Sequence, residues 1–94
     1  MYARLVRSSF GPGKRDAAQS LADKLAPAVA EQTGCESVTI FGNDADGEYG
    51  IFVLWNTQAD AEAAAAVIRP QLDQHLAGNV TGPPDTRLFE VLSS

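Results

Sequence analysis

The stretch that most limits what this chain can become is GIFVLWNTQADAEAAAAV, residues 50–67. Its first six residues are apolar and rich in β-branched and aromatic side chains, the mark of a buried strand. The pattern stops at Asn56 and Thr57. Thr57 stands three residues before Asp60, the spacing of a capping box, so a helix is predicted to start there. Within the strand, Gly50, Phe52 and Leu54 alternate with Tyr49, Ile51, Val53 and Trp55. Both faces are therefore apolar, which fits a central strand covered on two sides.

The rest of the chain arranges itself around this unit. Tyr2 to Ser8 reads as a strand, ended by the turn Phe10-Gly-Pro-Gly-Lys14. That turn lacks the GxxxxGK[ST] spacing of a phosphate loop, and Arg15 follows Lys14 where Ser or Thr is needed. From Lys14 to about Thr33, Ala18, Leu21, Ala22, Leu25 and Val29 recur at helical spacing. Pro27 is predicted to kink or break this helix, and Gly34 to stop it. Cys35 to Phe41 is a strand, and Asn43 to Gly47 a hairpin turn. The acidic residues of that turn lack the distant ligand of a calcium loop. A second helix runs from Thr57 to about Leu76 along a stripe of Ala61, Ala64, Ala65, Ile68, Leu72 and Leu76. Pro70 is predicted to divide it. After the loop Gly78–Pro84, Thr86 to Leu92 is the last strand.

Strand, helix, strand, strand, helix, strand is the order of an α+β, ferredoxin-like βαββαβ fold, with both helices on one face of an antiparallel sheet. Residues 1–94 are read as one domain. Alternation assigns Ala3, Leu5, Val38, Ile40, Phe52, Leu54, Phe89 and Val91 to the helix-covered face. The opposite face then holds Arg4, Val6, Thr39, Phe41, Tyr49, Ile51, Val53, Trp55, Leu88, Glu90 and Leu92. It is too apolar to face water, so a second copy is expected to cover it.

Composition excludes several partners. A net charge of −5 lacks the basic footprint of a nucleic-acid or anionic-membrane binder. No run approaches a membrane span, and MYARLVRSSF has no apolar core of a signal peptide. One cysteine allows no internal disulfide, so a reducing, cytoplasmic setting is expected. Cys35 has no histidine near it in sequence and reads as a half-buried thiol rather than a nucleophile. With one histidine and one cysteine, no metal site is expected.

Gly13-Lys14, Gly34-Cys35, the strand-ending Trp55 and the closing strand RLFEVL together resemble the antibiotic biosynthesis monooxygenase-like family of small dimeric α/β barrels. The resemblance implies a homodimer with a cavity in each subunit. It also implies oxidation of aromatic, polyketide-type compounds without metal, flavin or other cofactor, or else haem degradation. The chain departs from the family where many relatives carry a histidine or tryptophan, since residues 63–66 are all alanine. It also lacks an Asn in its first strand, which argues against haem degradation. The cavity is expected to be lined by Arg4, Val6, Phe41, Val53, Trp55 and Glu90, with Arg4 paired to Glu90 and holding an enolate or phenolate oxygen. Arg4 and His75 are the catalytic candidates, His75 at the cavity mouth. Two other classes fit the same residues: a non-catalytic or stress-associated small-molecule-binding module, and a structural dimerisation domain.

Overall fold

A computed structural model describes residues 1–94. Four strands and two helices follow in the expected order: β1 (Tyr2–Ser9), α1 (Arg15–Ala30), β2 (Cys35–Asn43), β3 (Glu48–Trp55), α2 (Gln58–Leu76) and β4 (Asp85–Glu90). The strands form one antiparallel sheet in the order β2-β3-β1-β4, the ferredoxin-like arrangement. The doubly apolar strand β3 is central, as is β1 beside it.

Local chemistry sets the joints. The Thr57 side chain accepts a hydrogen bond from the Asp60 amide at 3.0 Å, which satisfies one of the free N–H groups at the start of α2. Gly47 closes the β2–β3 turn with φ +70°, and a Cβ there would collide with the Gly11 carbonyl of the neighbouring turn. That close approach lets the Phe10 amide reach the Gly47 carbonyl at 2.7 Å, joining the two turns at one end of the sheet.

Neither proline breaks its helix. Both α1 and α2 run uninterrupted through Pro27 and Pro70. Each proline is exposed, so the carbonyl it leaves unbonded lies on the solvent side. Beyond them Val29, and Leu72 with Leu76, are buried, and that packing holds the chain helical.

The faces of the sheet differ from the sequence expectation. The helices cover the side that carries Val6, Ile51, Val53 and Trp55, all buried in one cluster with Leu25 and Val29 of α1 and Ala61 and Ala64 of α2. Register places Val38 and Ile40 with Val53 and Ile51 on this same side. Leu5, Phe52, Leu54 and Phe89 occupy the uncovered side instead, together with Thr39 and Phe41. The helices take the side on which Ile51, Val53 and Trp55 close with Leu25, Val29, Ala61 and Ala64 into one buried cluster.

At the rim beside β2, Tyr49 stacks edge-on against Phe10 with ring centroids 5.2 Å apart. Its hydroxyl donates to Asp44 at 2.9 Å, and Arg15 donates to the other Asp44 oxygen at 2.7 Å. Those bonds, Arg15 first and then Tyr49, hold the Asp44 carboxyl below its ordinary value. A carboxylate depressed on folding stabilises the fold above its unfolded value, about pH 3.9, and ceases to do so as pH falls through the folded value. Denaturant unfolding followed from pH 6 to pH 3 should therefore lose less stability in Asp44→Asn than in the wild type. Identical pH profiles would mean that the pair, which is exposed, contributes nothing.

Candidate functional site

Alanine on one side and β-branched residues on the other leave space between them. The result is a cavity of about 160 Å³ between the sheet and α2. Val6, Ile51, Val53 and Trp55 form its sheet wall, and Ala61, Ala64, Ala65 and Ile68 its helix wall. Arg4, Val29, Arg69, Leu72, Asp73, Pro84 and Thr86 complete the lining. The cavity thus lies inside one chain, under α2, and not between two sheets as the sequence suggests.

Two polar groups in this apolar wall lack partners. The indole Nε1–H of Trp55 is buried and has no hydrogen-bond acceptor, although the residue is only 3% exposed. A buried donor left unpaired costs about 1–3 kcal/mol. Arg4, half-buried on β1, makes no ion pair or side-chain hydrogen bond; the salt bridges are Arg7–Glu48, Arg15–Asp44 and Arg87–Asp85. Burial is the main influence lowering Arg4 from its ordinary value; Glu62 opposes it, and the like charge of Arg69 adds to it. Arg4 stays a cation throughout the accessible pH range. The cavity therefore offers an apolar slot with an uncommitted guanidinium in its wall, while the Trp55 Nε1–H is closed off from solvent.

Of the residues singled out from sequence, Arg4, Val6, Val53 and Trp55 meet in this cavity. Phe41 does not. It pairs with Gly50 on the uncovered face, and its ring lies where a Cβ on Gly50 would be. Glu90 lies at the end of β4 outside the cavity, and the Tyr2 hydroxyl reaches its carboxylate at 3.3 Å, so the expected Arg4–Glu90 pair does not form. His75 is not in the wall; its carbonyl accepts from the Asn79 side chain at 3.0 Å near the end of α2. Burial raises the Cys35 thiol above its ordinary value, and the group lies outside the cavity. Sequence reading missed Arg69 and Asp73. Their signal was present, since they flank the apolar stripe of α2 at positions one turn apart, but helix-edge charges usually face water. No three His, Cys, Asp or Glu side chains converge to offer a metal a ligand set, and no helix is long and apolar enough to cross a membrane.

A family model described as antibiotic biosynthesis monooxygenase matches residues 1–66, which hold β1, α1, β2, β3 and the first half of α2. The chain belongs to the antibiotic biosynthesis monooxygenase family. No curated protein matches it by sequence. Solved structures similar to this family member share its fold at low identity. A point mutant of SnoaB, a cofactor-independent oxygenase from Streptomyces nogalater, is 19% identical with a TM-score of 0.78; the match covers 99% of this chain and 94% of that one. A protein of unknown function from Nitrosomonas europaea is 20% identical with a TM-score of 0.85, over 99% of this chain and 90% of that one. A Mycobacterium tuberculosis protein is 19% identical with a TM-score of 0.77, over 99% and 96%. In this member the strand-ending Trp55 forms part of the cavity wall, and alanines line the helix opposite.

Proposed function

We propose that this chain is a cofactor-independent oxygenase-type protein that takes a small aromatic compound into the cavity under α2. The single observation that carries the reading is an apolar cavity under α2 with the unpaired Arg4 guanidinium and the Asp73 carboxylate in its wall. Membership of a family named for monooxygenases supports the reaction class.

The chemistry follows from the groups available. A substrate methylene flanked by an aryl ring and a carbonyl loses a proton to a base, and Asp73 is the carboxylate in the cavity wall. The resulting negative charge rests on the carbonyl oxygen, where the Arg4 guanidinium stabilises it in a largely apolar site. The carbanion then gives its electrons to dioxygen and forms a carbon–oxygen bond. Loss of the second carbon-bound hydrogen and scission of the oxygen–oxygen bond leave a ketone and one water. The substrate supplies both electron pairs, so CH₂ and O₂ become C=O and H₂O without an external reductant.

2-Tetralone, a two-ring compound whose C1 methylene lies between the aryl ring and the carbonyl, is a usable probe. Oxygen consumption by chelator-treated protein should exceed the protein-free rate, and Arg4→Gln should lower the excess by about tenfold or more, the scale of losing one oxyanion donor. No excess over the protein-free rate would end the oxygenase reading. One observation favours a second reading, a non-catalytic small-molecule binder: the alanines of the helix wall supply no proton-transfer group. Under that reading an aromatic ligand binds without oxygen uptake.

The uncovered sheet face supports self-association. Phe41, Phe52 and Phe89 are 47%, 36% and 46% exposed on it, and a continuous apolar face of this kind is normally an interface. A homodimer joined through this face, in the reducing cytoplasm where Cys35 stays a thiol, is the proposed assembly. Sedimentation at micromolar concentration should give twice the 9.9 kDa chain mass, and Phe52→Glu should shift it to the monomer. A wild-type monomer would refute the dimer while leaving the cavity within each chain intact.

A further inference from the structure

The cavity is built for a charge as well as a ring. Arg4 on β1 and Arg69 on α2 both lie in its wall, on elements that face each other across it. Neither guanidinium forms an ion pair or a side-chain hydrogen bond. They are close enough to repel, since the charge of Arg69 acts on Arg4. Asp73, one helical turn after Arg69, is the single carboxylate in the wall, so two cations there meet one anion. Glu62, outside the wall, acts on Arg4 more strongly than Arg69 does, but it forms no ion pair with either guanidinium, so both keep their donors free.

We infer that the ligand is an aromatic carboxylate of one or two rings, its ring in the apolar slot and its carboxylate between Arg4 and Arg69. The inference rests on the ligand cavity proposed above and adds its charge, its size and the role of Arg69. Size follows from volume. An apolar cavity of about 150 Å³ accepts a benzene ring, and the 160 Å³ here, open at its rim, admits one ring fully and a second in part. Charge follows from geometry. A planar guanidinium presents paired donors that match the two oxygens of a carboxylate, which a neutral amide of the same shape cannot reproduce. Arg4 is half-buried without an anion, which is costly, and an arriving carboxylate also relieves the repulsion between it and the exposed Arg69.

Isothermal titration calorimetry with 2-naphthoate and its neutral isostere 2-naphthamide at pH 7 tests this. Naphthoate should bind at least about tenfold more tightly, the equivalent of about 1.4 kcal/mol and the lower end for a charged hydrogen bond. Arg69→Gln, a conservative change at an exposed helical position, should erase most of that preference and leave naphthamide binding unchanged. Equal affinity of the two probes in the wild type would overturn the anionic ligand and leave the aromatic cavity standing. A naphthoate preference that survives Arg69→Gln would overturn the part given to Arg69. Failure of both probes to bind would overturn the inference and the cavity reading beneath it.

Discussion

Ala64→Leu is expected to abolish ligand binding while leaving the protein folded. Ala64 is 3% exposed and stands in the helix wall of the cavity, facing the sheet residues across it. Leucine places three further carbons in a void that is otherwise empty of side chains. Each buried methylene contributes about 0.8 kcal/mol when it fits, and overpacking costs about 1–3 kcal/mol when it does not. The two effects are of similar size, so unfolding free energy should stay within about 2 kcal/mol of the wild type. Affinity for a cavity ligand such as 2-naphthoate should fall by about 100-fold or more, which is about 2.7 kcal/mol. Calorimetry on the folded variant reads the affinity, and denaturant unfolding the stability. Wild-type affinity in folded Ala64→Leu would place the ligand somewhere other than under α2.

Leu25→Ala is expected to do the reverse, striking stability and not the cavity. Leu25 is 1% exposed and is the largest side chain buried this completely. It belongs to the central cluster but not to the cavity wall, so nothing relieves the hole its removal leaves. Substitutions of this kind cost about 2–5 kcal/mol. A small domain has only about 5–15 kcal/mol in all, and each kcal/mol is worth about 4–8 °C at this chain length. A fall in Tm of roughly 8–40 °C follows from those two ranges. Wild type and variant must be compared at one chain concentration, because any self-association adds to apparent stability. A loss below about 1 kcal/mol would show that α1 repacks around the site far more readily than a close-packed core should.

The two variants divide the covered side of the sheet into a packed half under α1 and an open half under α2. α1 brings Leu25 and Val29 against the sheet and packs closely on β2, whereas the middle of α2 brings alanine. A helix cannot both present small side chains and fill the space above bulky strand residues. The fold's weakest packing and its candidate site are therefore the same place.

Much of this was legible in the chain itself, where the determinants are local. Strand β3 begins at Glu48 and ends at Trp55 as its run of side chains indicates, and Thr57 caps α2. The stripes of both helices were visible, because 3.6-residue periodicity needs no tertiary information. Arg4, Val6, Val53 and Trp55 were found for a related reason: period-two alternation puts residues of one strand on one side whatever lies above it. Which side the helices would take was not legible. The row of Ile51, Val53 and Trp55 and the row of Phe52 and Leu54 are equally apolar, so alternation separates them without ranking them. Only the tertiary structure decided it, because both helices must bury their apolar stripes in one cluster, and they close on the row of Ile51, Val53 and Trp55. That choice put the cavity beneath α2, left Phe41 on the uncovered face and brought Arg69 and Asp73 into the cavity wall. Pro27 and Pro70 show the limit from the other direction. A local rule predicts breaks there, but the buried residues beyond each proline hold the helices on the core, and the freed carbonyls face water.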